Sequence, residues 1–188
     1  MTRMILRFLN GPGLVLLFTV GMAIQTSLFA SYPLNYFQPD VILIATIWLA
    51  LKRGFMEGGI LTLVLADFAE VHSGAPQGFY LITYMTVFLA IIAASKIFLL
   101  PHVTSMVTLT MSASAVWKLS GLLLLYLLGI AGNQWRHTLT FLIPGALVEG
   151  MLGLGLYQYL AKFDLITYKN IRAQQALEDE LQLDGEGL

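Results

Sequence analysis

Two ionisable residues inside long apolar stretches are the first candidates for chemistry in this sequence. Lys118 lies near the middle of the stretch 103–130, and Glu149 lies near the middle of the stretch 138–160. A charge at the centre of a bilayer costs about 2.5–3.5 kcal/mol on insertion scales, so each residue needs a partner or a function. A short turn joins the two stretches, which as antiparallel helices place both side chains at a similar depth. We predict an ion pair that fixes the register of the two helices, with a substrate or proton site as the alternative.

Two carboxylates in the stretch 37–81 are the next candidates. Asp40 follows Pro39 at the start of an apolar segment, where exposed N–H groups and the positive end of the helix dipole favour a carboxylate. Helix capping therefore accounts for Asp40 without any chemistry. Asp67 lies four residues before the predicted end of the next segment at Val71. We predict that Asp67 braces the turn 73–78, and a carboxylate wetted by the lipid headgroups is the alternative.

The sequence lacks the residue patterns of an enzyme or a metal site. It has no cysteine, and its three histidines lie in predicted turns without the spacing of metal ligands. It contains no phosphate-binding loop, no nucleophile elbow and no dinucleotide fingerprint. No basic patch with interleaved aromatic residues indicates nucleic acid. We therefore expect a protein that is not an enzyme and has no cofactor and no metal ion.

The composition predicts an integral membrane protein. Hydrophobic residues make up 57% of the chain and charged residues 11%, whereas a soluble domain carries about a quarter charged residues. We interpret the first apolar segment as a retained helix rather than a signal peptide, because Leu28 occupies a position where cleavage needs a small residue. The second is short for a crossing, so we expect it to recruit preceding residues or to lie in a thinned bilayer. The predicted segments are 14–30, 41–51, 55–71, 79–97, 103–130 and 138–160.

The distribution of basic residues predicts the orientation. With six crossings and the N-terminus inside, every Lys and Arg except Arg136 and Lys118 falls on the cytoplasmic side. We therefore predict an all-α integral membrane protein with six transmembrane helices and cytoplasmic N- and C-termini. A six-helix domain would cover residues 1–163. Residues 164–188 would form a cytoplasmic amphipathic tail, either solvated or docked on a partner.

Several short motifs in the stretch 35–95 resemble the rod shape-determining protein MreD family. The likeness extends more loosely over the whole chain through its length, its six predicted helices and its cytoplasmic ends. One departure is Leu63, where the family usually has a second glycine, so looser packing of this helix is expected here. The motifs are Phe37-Gln38-Pro39-Asp40, Leu49-Ala50-Leu51, Lys52-Arg53-Gly54, Gly59 eight residues before Asp67, Ser73-Gly74, and Gly78 at the start of the next segment.

The resemblance implies a function as well as a fold. Members of this family are non-enzymatic subunits of the rod, or elongation, complex in the bacterial inner membrane, which directs side-wall peptidoglycan synthesis. The implied direct partner is MreC; MreB, RodA and its transpeptidase partner would be met through the complex. The implied fold is similar to the six-helix substrate-binding subunits of energy-coupling-factor transporters. A vitamin-binding subunit is therefore the alternative, but it needs a polar, aromatic-lined outer pocket, which the short predicted outer turns do not favour.

Overall fold

The computed structural model describes residues 2–29, 31, 38–97, 103–167 and 169, and in these ranges the chain contains helices and no strands. Most of the predicted tail, from residue 170 onward, lies outside the described residues. The all-α class is therefore confirmed for the described part. The helices are α1 (Thr2–Leu28), α2 (Val41–Lys52), α3 (Phe55–Val71), α4 (Phe79–Ile97), α5 (Val103–Leu127), α6 (Gln134–Thr140) and α7 (Leu142–Ile166).

Three of these helices are long and apolar enough to cross a membrane. They are the segments Ile5–Leu28 of α1, Phe79–Lys96 of α4 and Met106–Leu127 of α5, and the helix Val41–Lys52 is apolar but shorter. A span of about 20 residues at 1.5 Å per residue matches the thickness of the hydrocarbon core. The chain is therefore an all-helical membrane protein.

Helix α2 is the centre of the bundle. Every residue from Ile42 to Ala50 is buried, and α2 packs against α1, α3, α4, α5 and α7. A helix that is apolar on all faces is covered either by lipid or by other parts of the protein, and the burial of α2 shows that here its neighbours cover it. The shortness of α2 therefore requires no thinned bilayer, because protein rather than lipid surrounds it. We name the two ends of the bundle after the residues that flank this helix, the Asp40 end and the Arg53 end.

Helices α2, α3 and α4 pack closely because of a glycine that the sequence analysis did not single out. A Cβ atom at Gly58 would lie 3.0 Å from the carbonyl oxygen of Leu49 and 3.0 Å from a ring carbon of Phe88. At Gly59 the nearest atoms would be 3.6 Å away, an ordinary contact. The side chain of Leu63 is 40% exposed. Leu63, the position at which the motif departs from the pattern, therefore lies on the outer surface of the bundle.

Helix α1 begins earlier than predicted. It runs from Thr2 to Leu28 and includes Pro12, whereas the sequence analysis began the helix at residue 14. A proline inside a helix removes one backbone hydrogen bond, a cost that tertiary contacts can offset. Here the buried side chain of Asn10 hydrogen bonds to Asp164 at 3.0 Å, which anchors the turn just before Pro12.

The last predicted segment is divided into two helices. Helix α6 ends at Thr140, and α7 begins at Leu142. Pro144 explains the break, because its ring has no N–H and would clash with the carbonyl of the residue four positions earlier in a continuous helix. Helix α7 then packs on α5 through glycines. A Cβ atom at Gly150 would lie 3.0 Å from Met111, and one at Gly153 would lie 3.1 Å from Thr110.

Candidate functional site

A cavity of about 390 Å³ lies at the Asp40 end of the bundle. Its walls come from all seven described helices and from residues just before α2 and just after α3. Pockets that bind small molecules occupy about 300–1,000 Å³ and combine apolar walls with a few polar groups. The polar and aromatic lining side chains are Gln25, Thr26, Gln38, Asp40, His72, Ser73, Tyr80, Tyr84, Trp117, Lys118, Thr138, Phe141 and Glu149.

Asp40 joins the start of α2 to α4 on one wall of this cavity. One carboxylate oxygen accepts a hydrogen bond from the backbone N–H of Leu43 at 2.9 Å, the N-cap geometry expected from sequence. The other accepts the hydroxyl of Tyr84 at 2.6 Å. The side-chain oxygen of Gln25 accepts the N–H of Val41 at 3.1 Å. Asp40 is therefore more than a cap, because it also holds α4 through Tyr84. Its predecessor Pro39 lines the same cavity.

Three aromatic rings form a continuous wall of the cavity. Tyr80 and Tyr84 are stacked with centroids 5.7 Å apart, and Tyr84 stacks on Trp117 at 5.9 Å. The hydroxyl of Tyr84 already donates to Asp40. In contrast, the indole N–H of Trp117 is buried and has no hydrogen-bond partner in the described part of the chain. A buried polar group without a partner is rare in folded proteins and calls for an explanation.

The structure brings Lys118 and Glu149 together among the residues that line the cavity. The ammonium nitrogen of Lys118 lies 3.2 Å from Oε1 of Glu149 and donates to the hydroxyl of Ser114 at 2.8 Å. Only 14% of the Lys118 side chain and 3% of the Glu149 side chain are exposed. Gly145 provides the space, since a Cβ atom there would lie 2.8 Å from the ammonium nitrogen. The second carboxylate oxygen of Glu149 is buried without a partner among the described residues.

Glu70, rather than Asp67, braces the turn between α3 and α4. Its Oε1 accepts the backbone N–H of Gly78 at 2.5 Å, and Gly78 has a φ of 84°, a conformation that favours glycine. Asp67 is exposed and forms no hydrogen bond or ion pair with another described side chain. The prediction for Asp67 is therefore wrong. Glu70 lies nearly one helical turn closer to the end of α3 than Asp67, so its carboxylate reaches the N–H of Gly78 and that of Asp67 does not. Gly74 lies in this turn in open space.

A second polar cluster lies at the Arg53 end. The guanidinium of Arg53 donates to both carboxylate oxygens of Asp164 and to the side-chain oxygen of Asn10, the latter at 2.9 Å. Asn10 also donates to the hydroxyl of Thr167 at 2.6 Å. The next residue, Gly54, occupies the N-cap position of α3. Arg53 was predicted only as a marker of orientation and as part of a motif. Asn10 and Asp164 were not predicted, because no short-range sequence pattern relates residues so far apart in the chain.

The arrangement at the Asp40 end is suited to binding a small molecule. Among the described residues, no three His, Asp or Glu side chains lie close enough to hold a metal ion. The unpartnered oxygen of Glu149 and the unpartnered N–H of Trp117 are the two polar atoms that a bound molecule could satisfy. Comparison of the chain with protein-family models, with curated proteins and with solved structures gave no match.

Proposed function

We propose that the chain is a non-enzymatic scaffold subunit of the rod complex in the bacterial inner membrane. The proposal combines the motif resemblance at residues 35–95 with the all-helical membrane fold. It includes six crossings with both ends in the cytoplasm, as the distribution of basic residues predicts. In this orientation the Asp40 end faces outward and the Arg53 end faces the cytoplasm. The scaffold would couple the filament protein MreB and the synthase RodA to MreC without catalysing a reaction.

The observation that carries this proposal is an exposed carboxylate on an apolar face of α3. Asp67 lies on one stripe of the helix with large exposed apolar side chains before and after it. Lipid tails offer no hydrogen-bond donor to a carboxylate, whereas a neighbouring protein helix can. We assign the contact with the single span of MreC to this face. The stripe consists of Met56, Ile60, Leu63, Val64, Asp67, Phe68 and Val71.

Purification of the tagged chain from native membranes tests the proposal. We expect MreC and the cell-wall synthases in the eluate, and we expect Asp67→Leu to reduce the recovery of MreC without changing the amount of chain in the membrane. Met151→Leu is the matched control, because Met151 is 76% exposed on α7 and away from the α3 stripe. Recovery of neither MreC nor a synthase would refute the scaffold.

Disulfide cross-linking locates the contact, because the chain contains no cysteine of its own. A single cysteine at Val64 should cross-link to cysteines placed along the span of MreC, whereas one at Met151 should not. Equal cross-linking from both positions would show that the contact is not specific to α3.

A membrane subunit that captures a small molecule for a transporter is the second candidate. The cavity at the Asp40 end favours it, since this cavity is polar and aromatic, contrary to the expectation drawn from the short turns. The same purification separates the two candidates. A bound vitamin together with an ATPase motor, in place of MreC, would support the transporter subunit.

A further inference from the structure

We propose that the cavity at the Asp40 end binds a small organic ammonium ion. The proposal concerns the ligand class of this cavity. It does not depend on whether the chain is a scaffold or a transporter subunit, and it is tested on the isolated protein. Three features carry it: the balance of charge in the cavity, a buried carboxylate oxygen without a donor, and a wall of aromatic rings.

The charge balance favours a cation. Asp40 and Glu149 contribute two carboxylates to the lining, and Lys118 contributes one ammonium group. Two of the three N–H donors of Lys118 are directed to Oε1 of Glu149 and to the hydroxyl of Ser114. His72 also lines the cavity, and its ring Nδ1 is already 2.8 Å from the carbonyl oxygen of Phe68. An added anion would therefore meet two carboxylates and one ammonium group that already pairs with Glu149, whereas an added cation would meet an excess of carboxylate oxygen.

The unpartnered atoms define where the ligand would be held. Oε2 of Glu149 is buried and accepts no hydrogen bond, so it lacks the donor that an ammonium group provides. The indole N–H of Trp117 is likewise unpartnered and would donate to a hydroxyl or carbonyl oxygen on the same ligand. Both residues line the same cavity. A ligand that carries both an ammonium group and a hydrogen-bond acceptor would supply the partners that these two atoms lack.

The aromatic wall supplies the attraction that distinguishes an organic cation from a neutral molecule. The stacked rings of Tyr80, Tyr84 and Trp117 line the cavity. The electron-rich faces of such rings attract ammonium groups, most strongly where water is excluded. The volume of about 390 Å³ accommodates a small amine and excludes a polymer or a folded peptide. A primary ammonium group of this kind occurs on soluble amines and on the ethanolamine headgroup of membrane lipids.

Three ligands that share one aromatic ring and differ in charge test the ligand class on the protein without substitutions. The protein is placed in phosphatidylglycerol nanodiscs and titrated with benzylammonium, benzyl alcohol and benzoate, with the thermal unfolding midpoint as the readout, since a ligand that binds the folded state raises it. We expect saturable stabilisation by benzylammonium, with an affinity at least about tenfold above that for benzyl alcohol, and none by benzoate. Stabilisation by benzoate, or no saturable effect of benzylammonium, would overturn the proposal.

Nanodiscs that contain phosphatidylethanolamine distinguish the two sources of the ammonium group. A weaker apparent affinity for benzylammonium in these nanodiscs assigns the cavity to the lipid headgroup, because the headgroup competes. An unchanged affinity assigns it to a soluble amine. If phosphatidylethanolamine nanodiscs show the same midpoint as phosphatidylglycerol nanodiscs and benzylammonium stabilises the protein in neither, the cavity binds no ammonium group from either source.

Substitution of Glu149 tests whether this residue binds the cation, because a purely structural role would not change the preference between benzylammonium and benzoate. Glu149→Gln removes one carboxylate and frees Lys118, so we expect the affinity for benzylammonium to fall about tenfold and benzoate to begin to bind. Tyr157→Phe is the matched control, because its hydroxyl is also buried without a partner but does not line this cavity. An unchanged preference for benzylammonium in Glu149→Gln would contradict the assignment of the cation to this carboxylate.

Discussion

The guanidinium of Arg53 and the carboxylate of Asp164 form a two-point ion pair across 111 residues of the chain. One of its hydrogen bonds joins Nη1 to Oδ2 at 2.8 Å, and both side chains are only 4% exposed. The pair ties the turn between α2 and α3 to the end of α7, and Asn10 adds α1 to the same cluster. A planar guanidinium is the group that matches a carboxylate at two points.

Replacement of Arg53 by lysine should destabilise the protein although the charge is kept. An ammonium group cannot reach Asn10 and both oxygens of Asp164 together, so buried acceptors lose their donors. The expected cost is about 1.5–3 kcal/mol, the range for hydrogen bonds to charged groups. The measurement is the unfolding midpoint in detergent or nanodiscs.

Lys52 provides the neighbouring control for Arg53. Its ammonium nitrogen lies 5.9 Å from the ring centroid of Trp48 and 5.7 Å from that of Tyr157. Lys52→Met should therefore cost only the cation–π contact, about 0.5–1 kcal/mol. An equal loss in Lys52→Met and Arg53→Lys would show that charge at this end, rather than the two-point geometry, stabilises the bundle.

A double-mutant cycle measures the contact between Lys118 and Glu149. Removing one partner of a buried ion pair leaves an uncompensated charge and costs about 3–5 kcal/mol. We therefore expect Lys118→Met and Glu149→Gln each to lower the unfolding midpoint, and the double variant to recover part of the loss. Additive losses would mean that the 3.2 Å contact contributes no coupling energy.

Local signals in the sequence predicted several of the helix boundaries. Helices α2, α3 and α4 begin at the predicted residues because Asp40 caps α2, Gly54 precedes α3 and Gly78 closes the turn before α4. The beginning of α1 and the division between α6 and α7 were missed. Pro12 lies inside α1, where a distant contact of Asn10 supports the helix, whereas Pro144 lies in the first turn of α7, just after the break, and no local pattern distinguishes the two prolines.

The site was predictable where its residues lie on long helices that follow each other in the chain, and unpredictable where they do not. The contact between Lys118 and Glu149 was predicted because one connection joins their two helices, and the short helix α6 within that connection leaves the two side chains at similar depths. The hydrogen bond from Tyr84 to Asp40 spans 44 residues, and no periodicity relates two such positions. The cavity itself arises from the gap that several helices leave between them, which is a property of their packing and not of any one segment.

The turn between α3 and α4 should depend on the backbone conformation of one glycine. Gly78 has a φ of 84°, and no atom lies within 4 Å of the position of its Cβ. Gly78→Ala should therefore cost about 1–2 kcal/mol from the left-handed conformation alone. Gly74→Ala is the control, since Gly74 has the same open surroundings without that φ. If the two variants unfold at the same temperature, backbone strain is not the cause.

Substitution by alanine should destabilise the protein at Gly58 but should leave it unchanged or stabilised at Gly59, the next residue on α3. A Cβ atom at Gly58 would press against the backbone oxygen of Leu49, which cannot move without disturbing α2, so Gly58→Ala should cost about 1–3 kcal/mol. Gly59→Ala meets only ordinary contacts with Met85 and Phe88, and the gain in helix propensity of up to about 1 kcal/mol should leave it neutral or stabilised. Unfolding midpoints of the two variants decide the matter. If Gly59→Ala destabilises the protein as much as Gly58→Ala, the close contact of α2, α3 and α4 is at Gly59 rather than at Gly58, which contradicts the structure.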